Sequence, residues 1–206
     1  MTSTKRFKYQ LLRSLIFCLL TLLSNNVHAE KVIEIADFQL LNVDGKMVSL
    51  KDYTKAKGFI IIFTSNHCPF AKLYPARMNQ LNEKYNMAGI PLLAISSTDT
   101  IVYVEDNYAN MIAKSIRDEI NFPYLLDGDQ KVAKAFGAQK TPHAFVIWKE
   151  NGKFVIKYSG SIDDNGAEPE KVKNPFVDKA AEALLAGKEV EIKETKSIGC
   201  KIYFRK

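Results

Sequence analysis

The spacing of apolar positions changes along the chain, and each change marks an element. Residues 58–63 (Gly-Phe-Ile-Ile-Ile-Phe) are an almost unbroken apolar run, the pattern of a strand covered on both faces. A polar stretch, Thr64-Ser65-Asn66-His67-Cys68-Pro69, follows it. Leu73, Ala76, Gln80, Leu81 and Tyr85 then supply a partly apolar stripe at helical spacing. Gly89 stops that helix, residues 90–96 predict a second buried strand, and 102–116 predict a helix leading into the apolar stretch 122–126. Residues 130–136 suit a short helix ended by Gly137. Two strands, 144–148 and 154–159, are joined at Asn151-Gly152, a pair suited to a two-residue hairpin turn, and a helix over 176–185 closes the pattern. Ahead of all these, residues 38–50 read as a strand pair closed at Asp44-Gly45. The acidic segment 161–170 reads as a solvated connection. The tail 188–206 alternates Val190, Ile192, Ile202 and Phe204 with polar neighbours, as an added edge strand would.

A βαβ half followed by a β-hairpin and a terminal helix is the order of the thioredoxin-like α/β fold, here with an N-terminal β-hairpin extension and a C-terminal tail. No internal repeat and no Pro/Gly/Ser-rich linker divides residues 30–206, so one domain is expected there.

Composition narrows the class. With 47% hydrophobic and 25% charged residues among 206, the chain suits a packed globular domain and excludes a disordered or disulfide-dense one. The net charge of +6 suggests nucleic acid only until it is divided. Lys5, Arg6, Lys8 and Arg13 precede residue 30 and no acid does, which leaves 25 basic against 23 acidic residues, a net +2. A body so near neutrality has no basic stripe for phosphate. The opening residues instead read as a secretory signal peptide: a basic stretch, an apolar run over 15–23, then Val27-His28-Ala29 with small residues at the cleavage-reading positions. Cleavage is expected after Ala29. The run is far shorter than the roughly 20 residues that span a bilayer, and bulky Phe17 before Cys18 disfavours lipid attachment. The mature chain is therefore expected to be secreted to the periplasm with no membrane span, keeping Cys68 and Cys200 of the three cysteines in a compartment where disulfides persist.

Cys68 is the foremost candidate for chemistry. It lies where a buried strand turns toward a helix, with Pro69 suited to the first helical position, so that unpaired N–H groups and the positive helix end favour its thiolate. An inert buried cysteine is the competing reading.

Five motifs then carry a resemblance: Phe63-Thr64-Ser65-Asn66-His67-Cys68-Pro69-Phe70, Asn121-Phe122-Pro123-Tyr124-Leu125, Lys140-Thr141-Pro142-His143, Ser161-Ile162-Asp163-Asp164-Asn165 and Gly199-Cys200-Lys201-Ile202. In this order they resemble the thioredoxin-like redoxins of the AhpC/TSA group, in its peroxiredoxin-like branch, from about residue 38 onward. The resemblance implies a thiol-dependent oxidoreductase with no organic cofactor. It acts through the single active-site cysteine Cys68, on a protein or small-molecule thiol, disulfide or peroxide. Members usually carry Cys-Asn-His-Cys where this chain has Ser65-Asn66-His67-Cys68, so a dithiol cycle inside the loop is closed to it. Ser65→Cys is expected to restore an exposed nucleophile. Ser65 also stands where peroxiredoxins hold a peroxide-binding hydroxyl three residues before their cysteine. However, Ile61 replaces their proline and no arginine lies near Pro142-His143. Thr141-Pro142 resembles the cis-proline loop that faces the cysteine, where the backbone before proline pairs with substrate peptide.

His67 and His143 would flank the same corner, joining Pro69 and Thr141 in lining a substrate groove, and either could favour the Cys68 thiolate when protonated. With Cys68 they also form a set that could hold copper or zinc, so a metal-binding or protein-binding module is the reading from another class. Cys200 has three open readings: resolving partner of Cys68, structural staple to it, or free thiol.

Overall fold

The fold is described from a computed structural model for residues 32–205. The signal peptide expected over 1–29 and its cleavage point fall outside the described residues, as does Lys206.

Among the described residues ten strands and four α-helices alternate: β1 (Glu34–Ile35), β2 (Gln39–Asn42), β3 (Met47–Ser49), β4 (Gly58–Thr64), α1 (Pro75–Tyr85), β5 (Leu92–Ser96), α2 (Tyr108–Arg117), β6 (Tyr124–Leu126), α3 (Lys131–Phe136), β7 (Lys140–Thr141), β8 (His143–Glu150), β9 (Lys153–Gly160), α4 (Phe176–Leu185) and β10 (Cys200–Lys201). Eight strands form one sheet in the order β1-β9-β8-β4-β5-β6-β2-β3, and β10 pairs with β7 apart from it. β4 runs parallel to β5 and antiparallel to β8, and the β8–β9 hairpin turns at Asn151 and Gly152, both at positive φ (51° and 82°) as the favoured two-residue turn requires. This is a thioredoxin-like fold.

Every residue of β4 is buried, as its apolar run predicts for a central strand. Strand alternation then divides the core. Ile60, Ile62, Leu92, Ala94 and Val146 face α1, α2 and α4, whereas Phe59, Ile61, Phe63, Leu93, Phe145 and Ile147 join Val132, Ala133 and Phe136 of α3. The hairpin of β2 and β3 is an extension of the same sheet, entered through β6.

Three elements depart from expectation. The helix after Cys68 starts at Pro75, because proline at 75 has no N–H to donate to the Ala71 carbonyl and so cannot continue a helix begun at Pro69. A single 3-10 turn, Ala71–Leu73, fills the interval. In α1 the buried residues are Met78, Asn82 and Tyr85, while Leu73 is 45% exposed and Ala76 and Gln80 face solvent. The helix expected over 102–116 is α2, which starts at Tyr108 because the Asn107 side chain caps it by accepting Asn110 N–H at 2.9 Å. The tail supplies the two-residue strand β10 and a single bridge from Glu194 to Ser159, with Val190 and Ile202 buried and Ile192 and Phe204 partly exposed. Among the described residues no helix is long and apolar enough to cross a membrane.

Candidate active site

Cys68 lies in the turn after β4, fully buried. Lys72 N–H donates to the Cys68 carbonyl at 3.1 Å, which folds the turn before the 3-10 segment. Across from it the Thr141–Pro142 peptide is cis, between β7 and β8. The Cys68 thiol donates to the Thr141 carbonyl at 2.9 Å, and the Ser65 and Thr141 hydroxyls are hydrogen-bonded at 2.8 Å. Cys200 closes the third side. Its backbone N–H donates to Cys68 Sγ at 3.3 Å, which brings together residues 132 positions apart. Both cysteines are free thiols.

The two sulfurs are electrostatically unlike. Burial pushes the Cys68 thiol up, but hydrogen bonds from the Cys200 side chain, from the Ala71 and Cys200 backbone and from Thr141 outweigh it, and the thiol titrates below its ordinary value. Burial, the hydrogen bond to Cys68 and the nearby charges of Cys68 and Asp106 push Cys200 up to about 12. Cys68 is therefore the sulfur that ionises first, with the Cys200 thiol as a proton donor to it. The expected helix end is not what favours the thiolate, since α1 begins seven residues later and the Cys200 thiol, backbone N–H groups and the Thr141 hydroxyl do so instead.

Ser65 is fully buried against Thr141, which overturns the expectation that a cysteine at 65 would be exposed. It supports the Thr141 hydroxyl. Pro69 is exposed at the rim and Pro142 supplies the cis bond. His67 Nδ1 is hydrogen-bonded to Asp106, whose fully buried carboxylate also accepts the Asn66 and His67 backbone N–H groups. The imidazole stacks on Tyr103 at 3.7 Å between centroids, and its Nε2 is buried without a partner.

His143 does not flank the thiol as expected. Alternation along β8 places it on the face of Phe145, where Nδ1 accepts Gln139 N–H at 3.3 Å and Nε2 meets the Ser159 hydroxyl at 3.1 Å. Burial, with Lys140 adding to it, pushes its pKa down to about 4, so it is neutral at pH 7 and contributes no positive charge to the cysteine. The set of Cys68, His67 and His143 is thus not assembled, and among the described residues no group of three or more His, Cys, Asp or Glu could hold a metal ion.

Several partners in this region carried no signal in the sequence. Asp106 reaches His67 from 39 residues away, and nothing in its neighbourhood marks it as a buried acceptor. Gln130, buried before α3, donates from its amide to Ser97 O and Tyr203 O and accepts Arg205 N–H, all at 2.8 Å. The acidic segment is also more than a solvated connection. Asp163 is buried, accepts from Arg77 at 2.6 Å and from Tyr74 at 3.1 Å, and so ties the segment to α1.

Known proteins are similar to this chain in sequence and in fold. The chain is similar to the thiol-disulfide oxidoreductase ResA of Bacillus anthracis, 29% identical over 127 residues that cover 62% of this chain and 68% of that protein. Among solved structures, an uncharacterized conserved protein from Geobacillus kaustophilus is 34% identical with a TM-score of 0.75, covering 84% of this chain and 90% of that one. A hypothetical protein from Sinorhizobium meliloti is 30% identical with a TM-score of 0.76, covering 84% and 94%. The model of the AhpC/TSA family matches residues 33–164, well over half of the chain, and to that family the chain belongs.

Proposed function

We propose that the protein is an exported thiol–disulfide oxidoreductase whose redox couple is Cys68 and Cys200, with Cys68 the attacking sulfur. The observation that carries this reading is the Cys200 N–H on Cys68 Sγ at 3.3 Å beside the cis-proline loop, with Cys68 shifted toward thiolate. The similarity to a named thiol-disulfide oxidoreductase supports it. Export after cleavage at Ala29 belongs to the same reading, resting on the leader pattern of residues 1–29, and leaves residues 30–206 as the mature domain.

The Cys68 thiolate attacks one sulfur of a substrate disulfide. A bond forms between the two sulfurs, and the other substrate sulfur leaves as a thiolate that takes up a proton. While Cys68 is ionised, the Cys200 thiol keeps its proton, because burial, its hydrogen bond with Cys68 and the repulsion of a second negative charge beside it all oppose ionisation. Once Cys68 is bonded to substrate that repulsion is gone. Cys200 gives up its proton to water or buffer and attacks Cys68 Sγ, forming the intramolecular disulfide and releasing the second substrate sulfur. Two electrons have passed from the protein dithiol to the substrate, and an external dithiol returns them. Peroxide chemistry is less favoured: Arg77, Arg117 and Arg205, the arginines among the described residues, are bonded to Asp163, Asp118 and Asp99.

Incubating the reduced protein with a protein disulfide and mapping its peptides by mass spectrometry tests this reading. Peptides joined through Cys68 and Cys200 are expected, with substrate thiols appearing in equal measure. Substrate reduction without that linkage, or no reduction, refutes the couple.

A further inference from the structure

The cycle above asks a fully buried sulfur to meet a sulfur from solution. Beside the Thr141–Pro142 loop, residues 199–205 close over Cys68, with the Cys200 N–H on its sulfur. Cys200 pairs with Thr141 and Lys201 with Lys140 in antiparallel register. Ile202 N–H donates to Gln139 O at 2.8 Å, and the Ile202 side chain, 2% exposed, belongs to the apolar cluster of Val132, Ala133 and Phe136. Gly199 lies so close to the loop that a Cβ there would stand 2.1 Å from Thr141 O. These are contacts that any extended chain of suitable sequence could make to a strand edge. A second set belongs to this segment alone: the Gln130 amide holds Tyr203 O and Arg205 N–H, and Arg205 Nε donates to Asp99 Oδ1 at 2.9 Å.

We propose that residues 199–205 are a displaceable strap latched by Gln130 and Asp99, and that a polypeptide taking the strap's register over β7 must carry glycine before its cysteine and an aliphatic residue two positions after it. This rests on the thiol-exchange reading and names its substrate class. The register sets the sequence. A residue in the place of Cys200 brings both its N–H and its side chain to Cys68 Sγ, so a substrate cysteine there meets the attacking sulfur. The residue before it must be glycine, because Thr141 O leaves no room for a side chain. The second residue after it shares the inward face of an extended strand and takes the apolar seat of Ile202, so it is aliphatic. The intervening residue, in the place of exposed Lys201, is free to vary. Because the strap is part of the same chain, its high local concentration holds the edge until the Gln130 and Asp99 latch opens. Its return then brings Cys200 back to resolve the mixed disulfide.

The probe is a fluorescein-labelled peptide, Ser-Ile-Gly-Ser-Lys-Ile-Tyr, the sequence of residues 197–203 with serine for cysteine so that no covalent chemistry intervenes. Its binding to the reduced, full mature chain is measured by anisotropy for the wild type, Arg205→Ala and Gln130→Ala. Arg205 has a substantially exposed side chain, so its variant tests the latch even if the change at buried Gln130 disturbs the fold. The latch variants are expected to bind the peptide about tenfold more tightly than the wild type, and iodoacetamide should modify their Cys68 about tenfold faster. Alanine for glycine, or aspartate for isoleucine, in the peptide should cost at least about tenfold in affinity. Equal binding by wild type and Arg205→Ala, or indifference to the glycine and isoleucine positions, would overturn the proposal. The two readings fail separately. Peptide binding without a Cys68–Cys200 disulfide refutes the redox couple and leaves the strap, and the reverse result refutes the strap alone.

Discussion

The two sides of the thiol pair are built in opposite ways. Cys68 extends from β4, a strand buried along its whole length between two apolar layers, and its turn is closed by backbone bonds and the Ser65–Thr141 hydroxyl pair. Cys200 rides on a two-residue strand held by one edge, one buried isoleucine and a polar latch. Removing the first side means opening the core, whereas removing the second breaks a handful of hydrogen bonds, each worth about 1 kcal/mol net. The two-step exchange proposed above needs a buried, ionisable sulfur and a movable partner, and core and tail would supply them separately.

The largest expected effect comes from deleting one sulfur at a time. Cys68→Ser should abolish reduction of a protein disulfide. Cys200→Ser should complete only the first step, accumulating substrate bonded to Cys68 and lowering steady-state turnover by about a thousandfold, since resolution becomes intermolecular. Wild-type turnover in Cys200→Ser would erase the division of roles. Next is a pH effect confined to the rigid side. The His143 imidazole has a folded pKa of about 4 against an ordinary 6.5, so between these values the unfolded chain binds the proton and the folded chain does not. Its contribution to stability is therefore complete above pH 6.5 and lost as pH falls to 4, by about 3 kcal/mol. Urea unfolding across that range should show this slope in the wild type and a flatter one in His143→Gln.

A smaller effect is expected on the strap. Gly199→Ala drives a Cβ against Thr141 O and should lift residues 199–205, raising iodoacetamide modification of Cys68 about tenfold while the thermal midpoint moves by no more than about 3 °C. A large loss of stability would mean that the strap belongs to the core after all. The smallest concerns Ser65. Ser65→Ala leaves the Thr141 hydroxyl without its buried partner and should slow Cys68 modification at pH 7 about threefold. In Ser65→Cys a thiol reagent applied to the folded protein should find no additional fast-reacting thiol.

The elements nearest the chemistry show how far local pattern reaches. The run 58–63 is legible because a strand covered on both faces needs apolar residues at every position, and Asn151-Gly152 because few pairs accept two positive φ angles. The cis bond before Pro142 was legible through resemblance, with pattern alone placing the following strand. The start of α1 was misplaced at Pro69, although the deciding residue, Pro75, stands in plain view. The stripe of Leu73 and Ala76 masked it.

What this chain determined by itself were the quantities set by neighbours in sequence: the alternation that builds β4 and the β8–β9 hairpin, the order of strands and helices that makes the fold thioredoxin-like, and the placement of Cys68 after a buried strand. Tertiary structure alone decided which groups meet that sulfur. His143 adjoins the cis-proline loop in sequence, yet strand alternation turns it toward Ser159, while Asp106 holds His67 from 39 residues away and Cys200 reaches Cys68 from 132. Hydrophobic period and turn preference act over a few bonds and leave their mark on composition. A hydrogen bond between distant segments depends on where the whole sheet carries each of them, and leaves no local trace.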